Sequence, residues 1–337
     1  MRNITATIKD VAKYTGLSTA TISKYINGRN VLEQNRKIIE EAIEVLNFRV
    51  NEIARGLKTN KTKTVGILIP NLEQPFCTSI VASIENILIK FGYSTIICDY
   101  KENKELEKEK LQFLINKMVD GIIMMPIGDE EDIIKQIIDE ETVIVLIDRV
   151  LSNLICDVVL VDNLNATYDA VEQFIMRGHK RIGIISGPDD VYTAQERLKG
   201  YLRVHEDYSM PVYKELIKYG DYKEDSGYRI LNEFMDMEDH PTAIIITNYE
   251  MTLGAIMAVN ERNIVVPDEV SLIGFDNLLM AKIIKPPLSI VIQPMQSIGE
   301  TSAEVLLKRL NGDMSNFPIR FRLKADVLIK SSVRNIL

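Results

Sequence analysis

Residues 7–28, TIKDVAKYTGLSTATISKYING, restrict the fold more than any other stretch of the chain. Thr7 with Asp10 three residues later forms a capping box, which opens a short helix. Ile8, Val11 and Ala12 give that helix one small apolar face. Gly16 ends it, being free to take positive φ. Ser18 caps a second helix, buried through Ile22, Tyr25 and Ile26, with Thr19, Ala20, Thr21, Ser23 and Lys24 near its start. Two short helices joined by a tight glycine-containing turn make a helix-turn-helix. Small and hydroxylated residues let the second helix enter a major groove without clashing. A helical hairpin inside a larger core would share the spacing, but Thr19, Thr21, Ser23 and Lys24 are too polar for a buried helix.

Charge supports the same reading. Residues 1–63 hold 12 Lys+Arg and 6 Asp+Glu, out of 40 and 48 in the chain, which leaves 28 against 42 in the remainder. A basic head on an acidic body attracts DNA at one end only. The third head helix is expected over 33–46, with Ile38, Ile39, Ala42, Ile43 and Leu46 turned inward. Leu32 cannot cap that helix with its side chain.

With 337 residues the chain suits two or three domains, and 46% hydrophobic with 26% charged residues is ordinary for a globular protein. The start, Met1-Arg2 and then polar residues, has no signal-peptide run, and no stretch offers about twenty consecutive apolar residues for a membrane span. Cys77, Cys98 and Cys156 are scattered and odd in number, reading as small buried hydrophobes in a reducing compartment. The expected location is the cytoplasm, with no cofactor and no metal.

From Thr64 onward, apolar strands alternate with amphipathic helices. Strands are expected at 65–69, 94–98, 121–124, 143–147, 158–161, 181–185, 243–247 and 271–275, and a strand-like end at 325–329. Helices are expected over 76–91, 104–117, 163–177 and 251–262. This alternation means α/β lobes with parallel sheets and helices on both faces. Ligands of such folds bind at the carboxyl ends of the strands, here between two lobes.

The head resembles the DNA-binding headpiece of the lactose-repressor/galactose-repressor (LacI/GalR) family through TIKDVA, GLSTATIS, Asn27-Gly28 and NEIARGLKT at 51–59. The remainder resembles that family's effector domain, itself similar to periplasmic sugar-binding proteins. The matching pieces are VGILIPNLEQPF at 65–76, IDR at 147–149, VDN at 161–163, GHKRIGIISGP at 178–188, ERLKGY at 196–201, GFDN at 274–277 and QP at 293–294. The resemblance implies a helix-turn-helix headpiece at 1–50, a hinge helix and linker at 51–63, and an effector-binding and dimerisation domain at 64–337. Lobe one would take about 64–162 and 293–323, lobe two about 163–290 and 324–337. Thr19, Ala20 and Lys24 match base-reading positions, although Lys24 lacks the planar fork of the more usual Arg. Ser18, Thr21, Ser23 and Asn27 would hold phosphates, and Thr7, Asn51 and Ala54 belong to the same DNA-binding set. Leu57 would wedge into the minor groove, with Ala54 letting two hinge helices approach.

Arg197 and Asp276 match positions that grip ligand hydroxyls; Phe76, Asp148, Asn248 and Gln293 complete the effector set. Asp162 is read as a helix cap. The implied protein is a homodimeric, sugar-responsive repressor on a pseudo-palindromic operator. The alternative is control by a phosphorylated carrier protein, suggested by 274–295, where Leu278 and Leu279 depart from the family pattern. An enzyme is disfavoured, since phosphate-loop, dinucleotide and nucleophile-elbow motifs are missing and His179, His205 and His240 have no metal-ligand spacing.

Overall fold

The computed structural model describes residues 6–26, 28–48, 61–127, 131–151, 153–276 and 280–337, so Asn27 and the hinge read at 51–58 lie outside it. The chain separates into two compact units at the Lys63–Thr64 junction. In the first, α1 (Ile8–Thr15), α2 (Thr19–Ile26) and α3 (Glu33–Val45) close on Val11, Ile22, Ile39 and Ala42, all fully buried. Thr7 Oγ1 accepts from the Asp10 amide while Asp10 accepts from the Thr7 amide at 2.8 Å, completing the capping box. Gly16 turns the chain at φ 69°. Tyr25 and Arg36 both donate to Glu40 Oε1, at 2.9 and 3.0 Å, tying α2 to α3. Ile38 departs from expectation: it is 42% exposed, because the inward stripe of α3 runs Ile39, Ala42, Ile43, Leu46 and Ile38 lies one residue off it.

Among its described residues the second unit has two six-stranded sheets of matching order. The strands are β1 (Thr64–Ile69), β2 (Ser94–Asp99), β3 (Gly121–Met124), β4 (Val143–Ile147), β5 (Asp157–Val161), β6 (Ile182–Ser186), β7 (Ile217–Tyr219), β8 (Ala243–Ile246), β9 (Ser271–Phe275), β10 (Ser289–Ile292), β11 (Arg320–Leu323) and β12 (Asp326–Leu328). One sheet runs β11-β5-β4-β3-β1-β2, the other β12-β10-β9-β8-β6-β7. The central strands are apolar on both faces because helices cover both sides; β3, β5, β6, β8 and β9 are buried at every residue. The chain passes between the sheets after β5, after β10 and after β11.

One strand breaks the expectation of parallel sheets: β12 pairs antiparallel with β10, Ile292 opposite Asp326. The reason is connectivity. β11 ends beside the close of β5 at the crossover, so the next strand enters the second sheet where β10 leaves it and runs back. Expected strands matched within a residue or so, but β7, β10 and β11 were not anticipated. β7 is three residues long, β10 lies between prolines, and β11 is largely exposed at a sheet edge.

A buried ion pair fixes the return of the chain into the first sheet. Arg309, near the end of the helix Met295–Leu310, donates Nε and Nη2 to the two carboxylate oxygens of Asp157 at 2.8 and 3.0 Å. Its Nη1 donates to the carbonyls of Asp313 and Ser315, and the Ile319 amide donates to Asp157 at 2.7 Å. Both side chains are 1% exposed. Removing one partner strands a buried charge, so Asp157→Ala is expected to cost about 3–5 kcal/mol of unfolding free energy in urea titrations. A loss below about 1 kcal/mol would contradict the role assigned to this pair.

Candidate functional site

In the head, Ser18 Oγ accepts from the Thr21 amide at 3.2 Å and lies 2.9 Å from the Thr21 hydroxyl, so the two hydroxyls start α2 as a unit. Thr7, Ser18, Thr19, Ala20 and Lys24 are exposed, and Thr21 and Ser23 are half-buried. The face opposite Ile22 is thus small, polar and accessible, the shape that fits a groove. Asn27, Asn51, Ala54 and Leu57 lie outside the described residues.

In the second unit, a cleft of about 650 Å³, open to solvent, is lined by all six expected effector residues, Phe76, Asp148, Arg197, Asn248, Asp276 and Gln293. They come from both sheets. Asp148 follows β4 and Asp276 follows β9, the third strand from the same end of each sheet. Both adopt positive φ, 67° and 78°, which turns each carboxyl off its strand end. Aspartate tolerates this conformation better than most side chains.

Arg197 comes from the helix Tyr192–Asp207. Its Nε donates to Asn163 Oδ1 at 2.8 Å, Nη1 donates to the Thr247 carbonyl, and the guanidinium carbon sits 4.2 Å from the Phe275 ring centroid. A turn later, a Cβ on Gly200 would lie 2.1 Å from the Leu164 carbonyl oxygen. Only glycine lets that helix approach Asn163–Ile175 closely enough for Arg197 to meet Asn163, which accounts for the glycine in ERLKGY. Gln293 Nε2 donates to Asp276 Oδ1. Asp148 Oδ1, Gln293 Oε1 and Arg149 Nε are buried without a hydrogen-bond partner among the described residues.

Burial raises the carboxyls of Asp148 and Asp276 above the ordinary value. Arg149 and then Arg197 oppose this at Asp148; Arg197 and the Gln293 hydrogen bond oppose it at Asp276. Burial also pushes the Cys77 thiol up to about 12, so it sits in the cleft wall as a neutral, unreactive group. Asn248 lines the cleft, but its amide is engaged: Oδ1 accepts from Met251 N at 3.0 Å and Nδ2 donates to the Tyr222 carbonyl at 2.9 Å. Asp162 caps the helix Asn163–Ile175 through the Asn165 amide. His179 and His205 are structural, bonded to Thr242 and the Arg334 carbonyl and to the Tyr201 carbonyl. All three cysteines are buried and free.

Sequence reasoning missed Tyr222, Arg149, Thr193 and Met125, which also line the cleft. Arg149 stands in the IDR piece and was within reach. Tyr222 follows β7, the short edge strand that no local pattern marked.

Comparison with known protein families matches residues 7–51 to bacterial regulatory proteins, lacI family, and residues 62–325 to periplasmic binding proteins and sugar binding domain of LacI family. The HTH-type transcriptional repressor PurR of Actinobacillus pleuropneumoniae serotype 3 (strain JL03) is 33% identical over 333 residues, 98% of this chain and 99% of that protein. Catabolite control protein A of Priestia megaterium is 34% identical over 307 residues, 90% of this chain and 92% of that protein. The solved lac repressor dimer, bound to operator and the anti-inducer ONPF, has this fold with a TM-score of 0.87 at 23% identity, covering 98% of this chain and 99% of that one. Among the described residues no helix is long and apolar enough to cross a membrane.

A raised carboxyl pKa makes a stability prediction. The folded protein holds its Asp148 proton more tightly than the unfolded chain, so ionising Asp148 costs stability as pH rises from the ordinary value of 3.8 through the raised one. Asp148→Asn removes that cost. The melting temperature of wild type should therefore fall relative to Asp148→Asn as pH rises from below about 4 toward neutrality. A difference that stays constant across that range, followed by circular dichroism, would remove the basis for this assignment.

Proposed function

This chain belongs to the LacI family of bacterial regulatory proteins, and we propose that it is a homodimeric repressor whose operator affinity is switched by a sugar or sugar phosphate in the cleft. The observation that carries the ligand reading is the convergence of Asp148, Arg197, Asp276 and Gln293, from both sheets, on one cleft. Carboxylates and a guanidinium make directional, charge-assisted hydrogen bonds to vicinal hydroxyls, and Phe76 and Tyr222 can pack on the apolar face of a sugar ring. The family match over 62–325, described as a sugar binding domain, points the same way.

Two headpieces would read two half-sites, with Thr19, Ala20 and Lys24 at base edges and Thr7, Ser18, Thr21, Ser23 and Asn27 on the backbone. The segment with Asn51, Ala54 and Leu57 would lie in the minor groove between them and kink the operator centre. A ligand that favours the DNA-incompetent arrangement of the lobes induces; one that favours the competent arrangement co-represses. The second reading is control by a phosphorylated carrier protein, suggested by the resemblance over 274–295; a catabolite control protein is among the relatives.

The test is fluorescence anisotropy on an operator selected from random DNA, at fixed salt, with and without sugars, sugar phosphates and a purine base. A palindromic site whose binding shifts with one small ligand is the expected result. Specific binding indifferent to every ligand moves the assignment to the protein-partner reading. Leu57→Ala should weaken specific binding roughly 10- to 100-fold, the value of a lost wedge, and leave non-specific binding nearly intact. Arg197→Ala should abolish the ligand response and spare operator affinity; a normal response would show that the cleft has been misassigned.

A further inference from the structure

Four side chains at the cleft mouth have no part in the reading above. Glu102, from the lobe built on β1, pairs with Lys223, from the lobe built on β6, at 2.8 Å. Gln74 Nε2 donates to Glu102 Oε1 at 3.3 Å and reaches across to hydrogen-bond Glu250. The two supporting loops are equivalent in the two lobes, one following edge strand β2 and the other edge strand β7. Each is turned by an aspartate: Asp99 Oδ1 accepts from the Lys101 amide at 2.8 Å, and Asp221 Oδ1 from the Lys223 amide at 2.9 Å. Lys101, Glu102 and Tyr222 take φ values of 50°, 55° and 67°. Side chains with a Cβ hold such conformations only where their surroundings impose them, and these conformations cluster at functional sites.

Carboxylates outnumber cations in the lining of the cleft. Among the described residues its lining holds the cations Arg149 and Arg197 and the carboxylates Asp148, Asp276, Glu102 and Glu250, with Lys223 paired to Glu102 beside it. Lys223 is ion-paired with Glu102, while Asp148 feels the charges of Arg149 and Arg197 and Asp276 feels that of Arg197 through space. Glu250 is a fourth carboxylate, raised by its burial and by the charges of Glu102 and Glu224. A phosphate dianion entering here has to displace a carboxylate from its cation or sit beside one, and both are unfavourable where water is scarce. A neutral polyol does neither. The buried Asp148 Oδ1 and Gln293 Oε1, acceptors without a partner among the described residues, suit its hydroxyl donors.

We propose that Glu102, Lys223, Gln74 and Glu250 form a polar clasp over the cleft mouth that makes this site select uncharged, hydroxyl-rich ligands over their phosphate esters. The proposal rests on the sugar-binding reading of the cleft and narrows it.

The experiment is isothermal titration calorimetry on the full chain with D-ribose, D-glucose and D-fructose, and with ribose 5-phosphate, glucose 6-phosphate and fructose 6-phosphate. Wild type is compared with Arg197→Ala, with Glu102→Gln/Glu250→Gln and with Lys223→Met. In wild type a free sugar should bind, with its ester at least roughly 10-fold weaker. The double substitution should narrow that ratio by about fivefold or more, and Lys223→Met should widen it. An ester that binds wild type as tightly as its parent sugar, or a ratio that neither variant moves, overturns the clasp and leaves the sugar reading standing. No binding by either class, or binding unchanged in Arg197→Ala, overturns the cleft reading and the clasp together.

Discussion

The guanidinium of Arg197 is a buried cation with, among the described residues, only neutral groups hydrogen-bonded to it. Its donors go to an amide oxygen on Asn163 and a backbone carbonyl at Thr247, and its face lies on Phe275. That arrangement fixes its position without neutralising it. The compensating charge comes through space from Asp148 and Asp276, one from each lobe. A cation held by one lobe and balanced partly by the other couples the lobes across the cleft. Whatever occupies the cleft has to reckon with that field, and the field depends on how the lobes sit.

The rest of the second unit can be understood as the support for this arrangement. Matching strand orders place equivalent strand ends opposite each other, so one local device, an aspartate at positive φ after the third strand, appears twice and converges from two directions. Gly200 permits the close helix approach that seats Arg197. The Arg309–Asp157 pair, which is not part of the cleft lining, anchors the returning chain and is satisfied further by main-chain groups. Cation chemistry is therefore used in two ways: at Arg309 in a closed ion pair, and at Arg197 as a guanidinium held, among the described residues, by neutral groups.

Much of this was legible in the residues. The capping box at Thr7 and Asp10, the turn at Gly16 and the buried face of α2 are local events, decided within a few residues, and they folded as the sequence suggested. The central strands announced themselves because burial on both faces demands continuous apolar runs. The failures share a cause. Ile38 was counted inward because adjacent isoleucines look alike in one dimension, yet only one can face the small core. β7, β10 and β11 are short, proline-flanked or exposed, and take their pairing from neighbours distant in sequence. Tyr222 and the rim residues were invisible for the same reason, since their placement depends on where those strands lie. For Asn248, pattern indicated a cleft residue, but only geometry revealed that its amide is already occupied with a helix start and the Tyr222 backbone.

The three crossings between the lobes have a mechanical consequence. Two bodies joined by one strap can swing, twist and slide. Three short straps, leaving after β5, β10 and β11, remove most of those freedoms, since stretching any of them breaks a sheet hydrogen bond at its root. What survives is rotation about a line near the straps. Small differences at the cleft therefore become an angle, and an angle grows into distance with radius. The parts of each lobe farthest from the straps travel most, like the tips of scissor blades whose rivet hardly moves.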